Sequence, residues 1–177
     1  MADQLIYDIQ YGVSDYYDYN SPAVTLAEAK AQLIIDFDYD DALISRLIMA
    51  ATSAVAKYCN ISINNQMITV YGKADDKGRF RLPYGPIAYI SSVVGDHGEV
   101  TPCTNTQLGS RIVQIGAYQE VSITYFTGYN NPIPADLKQG ILTQVAYLYE
   151  NRGDQDKISG VCNEAIALIQ KYIDPWI

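Results

Sequence analysis

Apolar residues recur at spacings of three and four along several segments of the chain, which is the pattern of amphipathic helices. The first of these segments begins at Thr25, where Thr25 and Glu28 form a capping box, and it ends near Asp36. The second, the longest and most regular, follows Asp41 and stops at Asn60. These two segments predict a pair of helices joined by a short acidic link.

Two further helical segments follow later in the chain. One starts at Pro134, which suits the first turn of a helix, and ends at 151–153. The other covers about 161–173. The pattern predicts four helices in all, in two pairs.

Between the second and third helices the apolar period changes to two, which is typical of strands. Strands are predicted at 67–71, 79–82, 87–94, 111–115 and 120–126, and the first two are expected to pair as a hairpin. The predicted fold is therefore α+β and mainly α: a four-helix core with a small antiparallel β insertion between the second and third helices.

These elements divide the chain into four parts. The predicted parts are an N-terminal arm rich in Tyr and Asp (1–24), a first helical pair (25–62), the β insertion (63–128), and a second helical pair with a C-terminal tail (129–177). In the arm only a short strand around Leu5–Ile9 is expected. No signal peptide and no membrane-spanning segment is predicted.

The charge of the chain is concentrated near its start. The 177 residues carry a formal net charge of −8, with 12 Lys plus Arg against 20 Asp plus Glu. Nine of the acids and only one base, Lys30, lie in 1–41, so the remaining residues sum to zero. General coating of DNA is excluded by this balance, because proteins that coat DNA are strongly basic.

Tyrosine is the most over-used residue, with 16 Tyr against 3 Phe and 1 Trp. Tyr is enriched at protein interfaces because it offers a large contact area and a polar tip. An arm of this composition cannot easily build its own core, so we expect it to lie on a partner or neighbouring subunit, with a self-packed or mobile arm as the alternative. The predicted interface residues are Tyr7, Tyr11, Tyr16, Tyr17, Tyr19, Tyr129, Arg152 and Trp176.

One basic spot stands out, in the predicted hairpin that holds Lys73, Lys77, Arg79 and Arg81. It could touch DNA phosphate or an acidic partner. Alternatively, its charges could simply protect an edge strand from aggregation.

The chain offers little that indicates catalysis. His97 is its only histidine and lies in a predicted turn, and Cys59, Cys103 and Cys162 form no metal-binding or redox motif. No phosphate-binding loop is present, and the Asp36–Asp40 run departs from a calcium loop at its later positions. We expect no catalytic residue, no cofactor and no metal.

Several stretches resemble the head–tail connector (adaptor) proteins of tailed bacteriophages. The resemblance spans 24–177 and rests on the order and spacing of the stretches Val24–Lys30, Asp40–Ile44, Leu82–Ile87, Ile90–Val93, Tyr125–Tyr129, Ile133–Lys138 and Tyr147–Arg152. Thr127 and Gly140 stand where the family usually has alanine and a helix-forming residue.

The resemblance implies a structural protein without catalysis. It implies a ring of about twelve copies at the head–tail junction of the virion, under the portal protein, where the ring continues the DNA channel and docks the next neck or tail protein. Assembly would take place in the host cytoplasm, with DNA passing through without sequence-specific binding and with no membrane involved. Because an acidic channel would repel DNA phosphate, the predicted channel-facing acids are Asp36, Asp38, Asp40 and Asp41.

Two alternatives stay open from the sequence. One is another neck or tail-completion protein of the same kind of particle. The other, from a different class, is a small cytosolic ligand-binding or enzyme domain, which the scarcity of catalytic residue types disfavours.

Overall fold

The computed structural model describes residues 10–17, 22–95, 98–99, 111–115, 120–129, 132–154 and 160–173, with only the backbone described for 10–17 and 99. The chain divides into a β unit, Met1–Asp18 with Asn64–Asn130, and a helical unit, Tyr19–Ile63 with Asn131–Ile177. The strand predicted near Leu5–Ile9 lies outside the described residues, and so do Tyr7, Tyr19, His97, Cys103 and Trp176.

The helical unit holds the four helices that the periodicity predicts. They are α1 (Leu26–Leu33), α2 (Asp41–Cys59), α3 (Ala135–Glu150) and α4 (Asn163–Ile169), followed by one turn of 3₁₀ helix at Gln170–Tyr172. Helix α3 packs against α1, α2 and α4. The predicted α+β class, with four helices and a small antiparallel sheet, is confirmed.

The ends of α1 follow from local chemistry. The Glu28 amide donates to the Thr25 hydroxyl at 3.2 Å, and the Thr25 amide donates to the Glu28 carboxylate at 2.8 Å, so the capping box is formed. At the other end Ile34 takes up the left-handed conformation, with φ 56° and ψ 45°. Asn60 caps α2 in the same conformation, as expected of a residue type that tolerates it.

Helix α2 supplies much of the core of the helical unit. Its buried side chains are Ile44, Ile48, Ala51, Thr52, Val55 and Cys59. By length and composition alone α2 could also cross a membrane, yet the face that carries these residues is buried in the protein. The described contacts therefore make α2 a core helix on that face.

Helix α3 begins after Pro134, as predicted, and buries one side of its length. Gly140 is buried in the middle of that side, where α3 packs against α4. Gln144 is also buried, and it is satisfied because its amide donates to the Gly160 carbonyl at 3.1 Å and its oxygen accepts from the Cys162 amide at 2.8 Å. The polar contact fixes the start of α4.

The β unit contains two antiparallel sheets. Its strands are β1 (Gln10–Tyr17), β2 (Gln66–Lys73), β3 (Arg79–Arg81), β4 (Ile87–Gly95), β5 (Gly98–Glu99), β6 (Ile112–Gln114) and β7 (Glu120–Thr127). One sheet has the order β1-β2-β7-β4-β5, and the other pairs β3 with β6. The strands β4, β6 and β7 lie where the alternation predicts them.

Part of the predicted arm is a strand of this sheet. Strand β1 pairs antiparallel with β2, from Gln10 opposite Tyr71 to Tyr17 opposite Gln66, with an irregularity after Val13. Eight of the 24 residues of the predicted arm therefore form a strand that pairs within its own chain. A strand at this position was not predicted, because the arm lacks a clear apolar alternation.

The predicted hairpin between 67–71 and 79–82 is wrong in its pairing. Strand β2 pairs with β1 and β7, whereas β3 pairs with β6 through Phe80 opposite Val113. The physical reason lies in the turn, where the Asp75 carboxylate accepts from the amides of Lys77 and Arg79 at 3.0 and 2.6 Å. These bonds form a local turn before β3, and both edges of β2 are already occupied by β1 and β7, so β3 has no place beside β2.

The core of the β unit lies on one face of the five-stranded sheet and under β3 and β6. Alternate residues of β7 point into it, so that Val121, Ile123 and Tyr125 are buried. Phe80, Leu82 and Val113 cover them from the smaller sheet. The intervening residues of β7 are half-buried or exposed on the opposite face.

Candidate interaction surfaces

Two of the stretches that carry the resemblance meet in the β unit. The Thr127 hydroxyl donates to the Pro86 carbonyl at 2.9 Å, and the Gly128 amide donates to the same oxygen at 3.0 Å. Gly128 has φ +112°, and a Cβ there would lie 2.3 Å from the Asn64 carbonyl oxygen, so only glycine fits. The departure at Thr127 is thus explained by a hydrogen bond that alanine could not form.

The loop that follows β3 is held at several points. The Tyr84 amide donates to the buried Tyr125 hydroxyl at 3.4 Å, and the Arg111 guanidinium donates to the Pro83 carbonyl at 2.9 Å. The Leu82–Ile87 stretch is therefore held in place by hydrogen bonds within the β unit. Tyr129, a predicted interface residue, lies just after this junction and is half-buried.

In the helical unit the four predicted channel acids lie close together. Asp36, Asp38 and Asp40 are in the link between α1 and α2, and Asp41 is the first residue of α2. Lys30 donates to Asp38 at 2.6 Å and to Asp41 at 2.8 Å, and these bonds raise the pKa of Lys30 and lower that of Asp38. Although Asp38 is paired, its side chain is 87% exposed, and Asp36 is exposed as well. The link is therefore an ordered ion-pair network with an acidic outer rim.

A second contact holds the link against the end of α3. The Tyr149 hydroxyl donates to the Asp40 carboxylate at 2.5 Å, and this bond raises the pKa of Tyr149. The guanidinium of Arg152, a predicted interface residue, lies 4.5 Å from the centre of the Tyr149 ring. The stretches around Asp40 and Tyr147–Arg152 thus meet in space.

The same link displays apolar side chains that the sequence interpretation missed. We name Ile34–Asp41 the acidic–aromatic loop. Ile34 is 93% exposed and Tyr39 is 80% exposed, and the Tyr39 ring stacks on Phe37 with ring centres 4.2 Å apart. The alternation of Asp with aromatic residues at 36–40 could have indicated an exposed aromatic pair. Only the acidic residues of this segment were used in the prediction.

The four basic residues of the predicted hairpin are spread over two strands and a turn. Lys73 ends β2, Arg79 and Arg81 lie in β3, and Lys77 lies in the turn between them. Arg79 donates to the buried Asp75 carboxylate at 2.8 Å. Burial would raise the pKa of Asp75, but the bonds from Arg79 outweigh it and the pKa is lowered. The positive charge of Arg79 is therefore paired with Asp75 in the same chain.

The outer face of the five-stranded sheet carries another aromatic group. Tyr89 and Phe126 stack with ring centres 4.5 Å apart, and Tyr71 is also about half exposed. Of the other predicted interface tyrosines, Tyr11, Tyr16 and Tyr17 lie in β1, where the backbone alone is described.

Within the described ranges the chain shows no group of three or more His, Cys, Asp or Glu residues that could hold a metal. Cys59 and Cys162 are free and buried, and burial raises the pKa of both thiols, that of Cys59 to about 11. A thiol with a raised pKa is a poor nucleophile. These two cysteines therefore fill space in the core.

A known protein family matches the part of the chain that contains several of the stretches described in the sequence analysis. Residues 23–100 match the family described as phage gp6-like head-tail connector protein. The chain resembles the gp6-like head–tail connectors. The matched range contains α1, the acidic–aromatic loop, α2 and the Leu82–Ile87 stretch, so the resemblance inferred from the sequence is confirmed. No curated protein matches the chain significantly.

Solved structures extend the likeness to nearly the whole chain. A protein in "Neck of empty GTA particle computed with C6 symmetry" and one in "Virion of native gene transfer agent (GTA) particle" each superpose with a TM-score of 0.72 at 18% identity, over 95% of this chain and 97% of theirs. A protein in "Neck of native GTA particle computed with C12 symmetry" gives 0.69 at 15% identity over the same shares. At this identity, the likeness establishes a common fold.

Proposed function

We propose that the chain is a structural head–tail connector of a phage-like particle, assembled as a ring in the neck. The proposal rests on two similarities that agree. The connector family matches residues 23–100, and the fold over 95% of the chain is that of proteins in gene transfer agent necks and virions. The C12 symmetry of one of those necks supports a ring of about twelve copies.

The same role gives the proposed position of the ring and its neighbours. The ring would lie under the portal protein at the head–tail junction, continue the DNA channel and dock the next neck or tail protein, after assembly in the host cytoplasm. A net charge of −8 suits a channel through which DNA passes without being gripped. That Asp36, Asp38, Asp40 and Asp41 face the channel stays a prediction, and three of them already have partners within the chain.

A structural role without catalysis is the second part of the proposal. It is supported by the buried, weakly acidic thiols of Cys59 and Cys162. It is also supported by the ion pairs and helix caps that hold several acids, namely Glu28, Asp38, Asp41, Asp75 and Asp136. The side chains left exposed, such as Tyr39, Tyr71 and Tyr89, suit contacts between proteins.

The deciding experiment is negative-stain microscopy of the full chain, alone and mixed with heads that contain the portal protein but lack this chain. We expect rings of about twelve copies at the portal vertex. Heads without the portal serve as the control and should acquire none. The proposal would be contradicted if the chain stays monomeric at high concentration and does not bind heads that contain the portal protein.

A further inference from the structure

We propose that the acidic–aromatic loop of one copy docks on the outward face of α2 in the next copy of the ring. We define the α2 outward face by Arg46, Met49, Ala50, Ser53 and Lys57, which are all exposed and recur at helical spacing. This inference rests on the proposed function, because it names the contact by which the proposed ring is built.

The loop has the features of a binding anchor. Tyr39 is 80% exposed and lies parallel to Phe37, with 8° between the ring planes. Large aromatic side chains at the centre of an interface contribute most to binding energy.

Ile34 supplies an independent sign that the loop serves a contact. Its φ of 56° is a conformation that β-branched residues rarely adopt, because Cβ approaches the following carbonyl oxygen. Burial does not compensate for this strain, since Ile34 is 93% exposed. The corresponding C-cap position of α2 is occupied by Asn60, a residue type that adopts this conformation with little strain. A strained and exposed isoleucine at the C-cap of α1 therefore points to a partner that buries its side chain.

The loop is also fixed before any partner arrives. Lys30 holds Asp38 and Asp41, and Tyr149 holds Asp40 at 2.5 Å. A preorganised segment loses less conformational entropy on binding. The contacts leave the carboxylates of Asp36 and Asp38 on the outside, so the aromatic pair has an acidic rim.

The α2 outward face fits this loop in shape and in charge. Helix α2 is apolar enough to pass for a membrane span, yet only 33% of its most apolar 18-residue stretch is buried. Met49 is 63% exposed, beside small Ala50 and Ser53 that allow close approach. After Asp41 the helix carries no acid, while Arg46 and Lys57 are positive, which complements an acidic rim.

The two surfaces follow one another along the chain but consist of different residues. At a helical rise of about 1.5 Å per residue, the α2 outward face extends from roughly 8 Å (Arg46) to roughly 24 Å (Lys57) along α2 from Asp41, where the loop ends. Different surfaces that meet head to tail form a heterologous contact, and such contacts close into rings when the rotation permits. An acidic loop would be repelled by DNA phosphate, so it would not bind the DNA itself. In this arrangement Asp36 and Asp38 face the next copy, which replaces the channel-facing prediction for these two residues.

Cysteine cross-linking tests the contact directly. One population of the full chain carries Tyr39→Cys and another carries Met49→Cys, both with Cys103→Ser so that only the buried native thiols remain. On oxidation of rings assembled from the mixture, we expect a covalent dimer that neither population forms alone. Gln170→Cys, at another exposed site of the helical unit, replaces Met49→Cys in the control and should give no dimer.

Charge reversal and truncation test the chemistry. Asp36→Lys and Lys57→Glu should each weaken self-association, and the two together should restore it. Tyr39→Ala should weaken it about 30-fold, the loss typical of an anchoring aromatic. Ile34→Asn should also weaken it without lowering the midpoint of thermal unfolding, which separates a lost contact from a damaged fold.

The outcomes distinguish this inference from the proposed function. Rings that form without the 39–49 cross-link overturn the inference and leave the connector role standing. Cross-linking of Tyr39→Cys to a portal or neck protein instead of a second copy also overturns it. If no ring forms, alone or on portal-bearing heads, both proposals fall.

Discussion

Gly140 on α3 lies so close to Ile169 on α4 that a Cβ on Gly140 would come within 2.3 Å of the Ile169 Cγ2 methyl. Both residues are buried, and the methyl belongs to a β-branched side chain that cannot swing aside. The glycine, which is unusual in a helix interior, is therefore required by helix packing.

We expect Gly140→Ala to destabilise the protein. Alanine gains about 1 kcal/mol of helix propensity, whereas overpacking typically costs about 1–3 kcal/mol. A 2.3 Å approach to a buried methyl belongs in the upper part of that range, about 2–3 kcal/mol, so the net loss should be about 1–2 kcal/mol. Urea unfolding followed by circular dichroism measures it. Gly153→Ala is the matched control, because a Cβ there meets nothing within 4 Å. Equal stability of Gly140→Ala and the wild type would contradict the packing account.

Ile34→Asn should make the isolated chain more stable by about 0.5–1 kcal/mol. Asparagine tolerates the left-handed conformation, and the exposed isoleucine side chain loses little burial. The free energy of unfolding at low protein concentration, where association is negligible, is the measurement. A loss of stability comparable to that of a core substitution would show that Ile34 packs within its own chain.

Glu28 should contribute stability that is lost in acid. A hydrogen bond from Lys138, together with the bond from the Thr25 amide, lowers the pKa of Glu28 from 4.5 to about 2. A carboxyl with a depressed folded-state pKa stabilises above its unfolded pKa, and this is lost as pH falls through the folded pKa. The midpoint of thermal unfolding should therefore drop between about pH 4.5 and pH 2.

The matched variant for this prediction is Glu28→Gln. It should be less stable than the wild type at pH 7 and should lose less stability on acidification. Asp136 keeps part of the acid dependence in both proteins, because Lys171 and Tyr172 lower its pKa to about 2 as well. Parallel pH profiles for the two proteins would argue against a stabilising role for the Glu28 carboxylate.

Thr127→Val should cost about 1–2 kcal/mol, since it removes the donor to the Pro86 carbonyl from a buried site and keeps the side-chain shape. Chemical unfolding measures the change. Thr124→Val serves as the comparison, because Thr124 bonds the Thr69 hydroxyl on the half-buried outer face. If both substitutions have the same small effect, the Thr127 bond is not specifically important.

The sequence predicted the helices well because each carries its own signals. The capping box at Thr25, the stop at Asn60 and the start after Pro134 are local, and the structure has them where they were expected. Strand positions were also predictable from alternation. Strand partners were not: a period of two indicates a buried face but says nothing of which strand lies beside it, so β3 was paired with the wrong neighbour.

The candidate surfaces were less predictable. Exposure of Tyr39 depends on the left-handed turn at Ile34 and on the contacts of Lys30 and Tyr149, which are distant in sequence or strained in conformation. Local patterns do not encode such arrangements. The same holds for Tyr149, whose bond to Asp40 joins residues 109 positions apart.

The pairing of β1 with β2 makes the two units interrupt each other. The helices α1 and α2 form the connection between two adjacent strands, just as β2 to β7 form the connection between two helical pairs. Neither unit can then be expressed as one uninterrupted piece of chain. Trimming the protein to begin near Val24, where the family match starts, would strip β1 away and leave β2 as an open edge that invites pairing with other molecules.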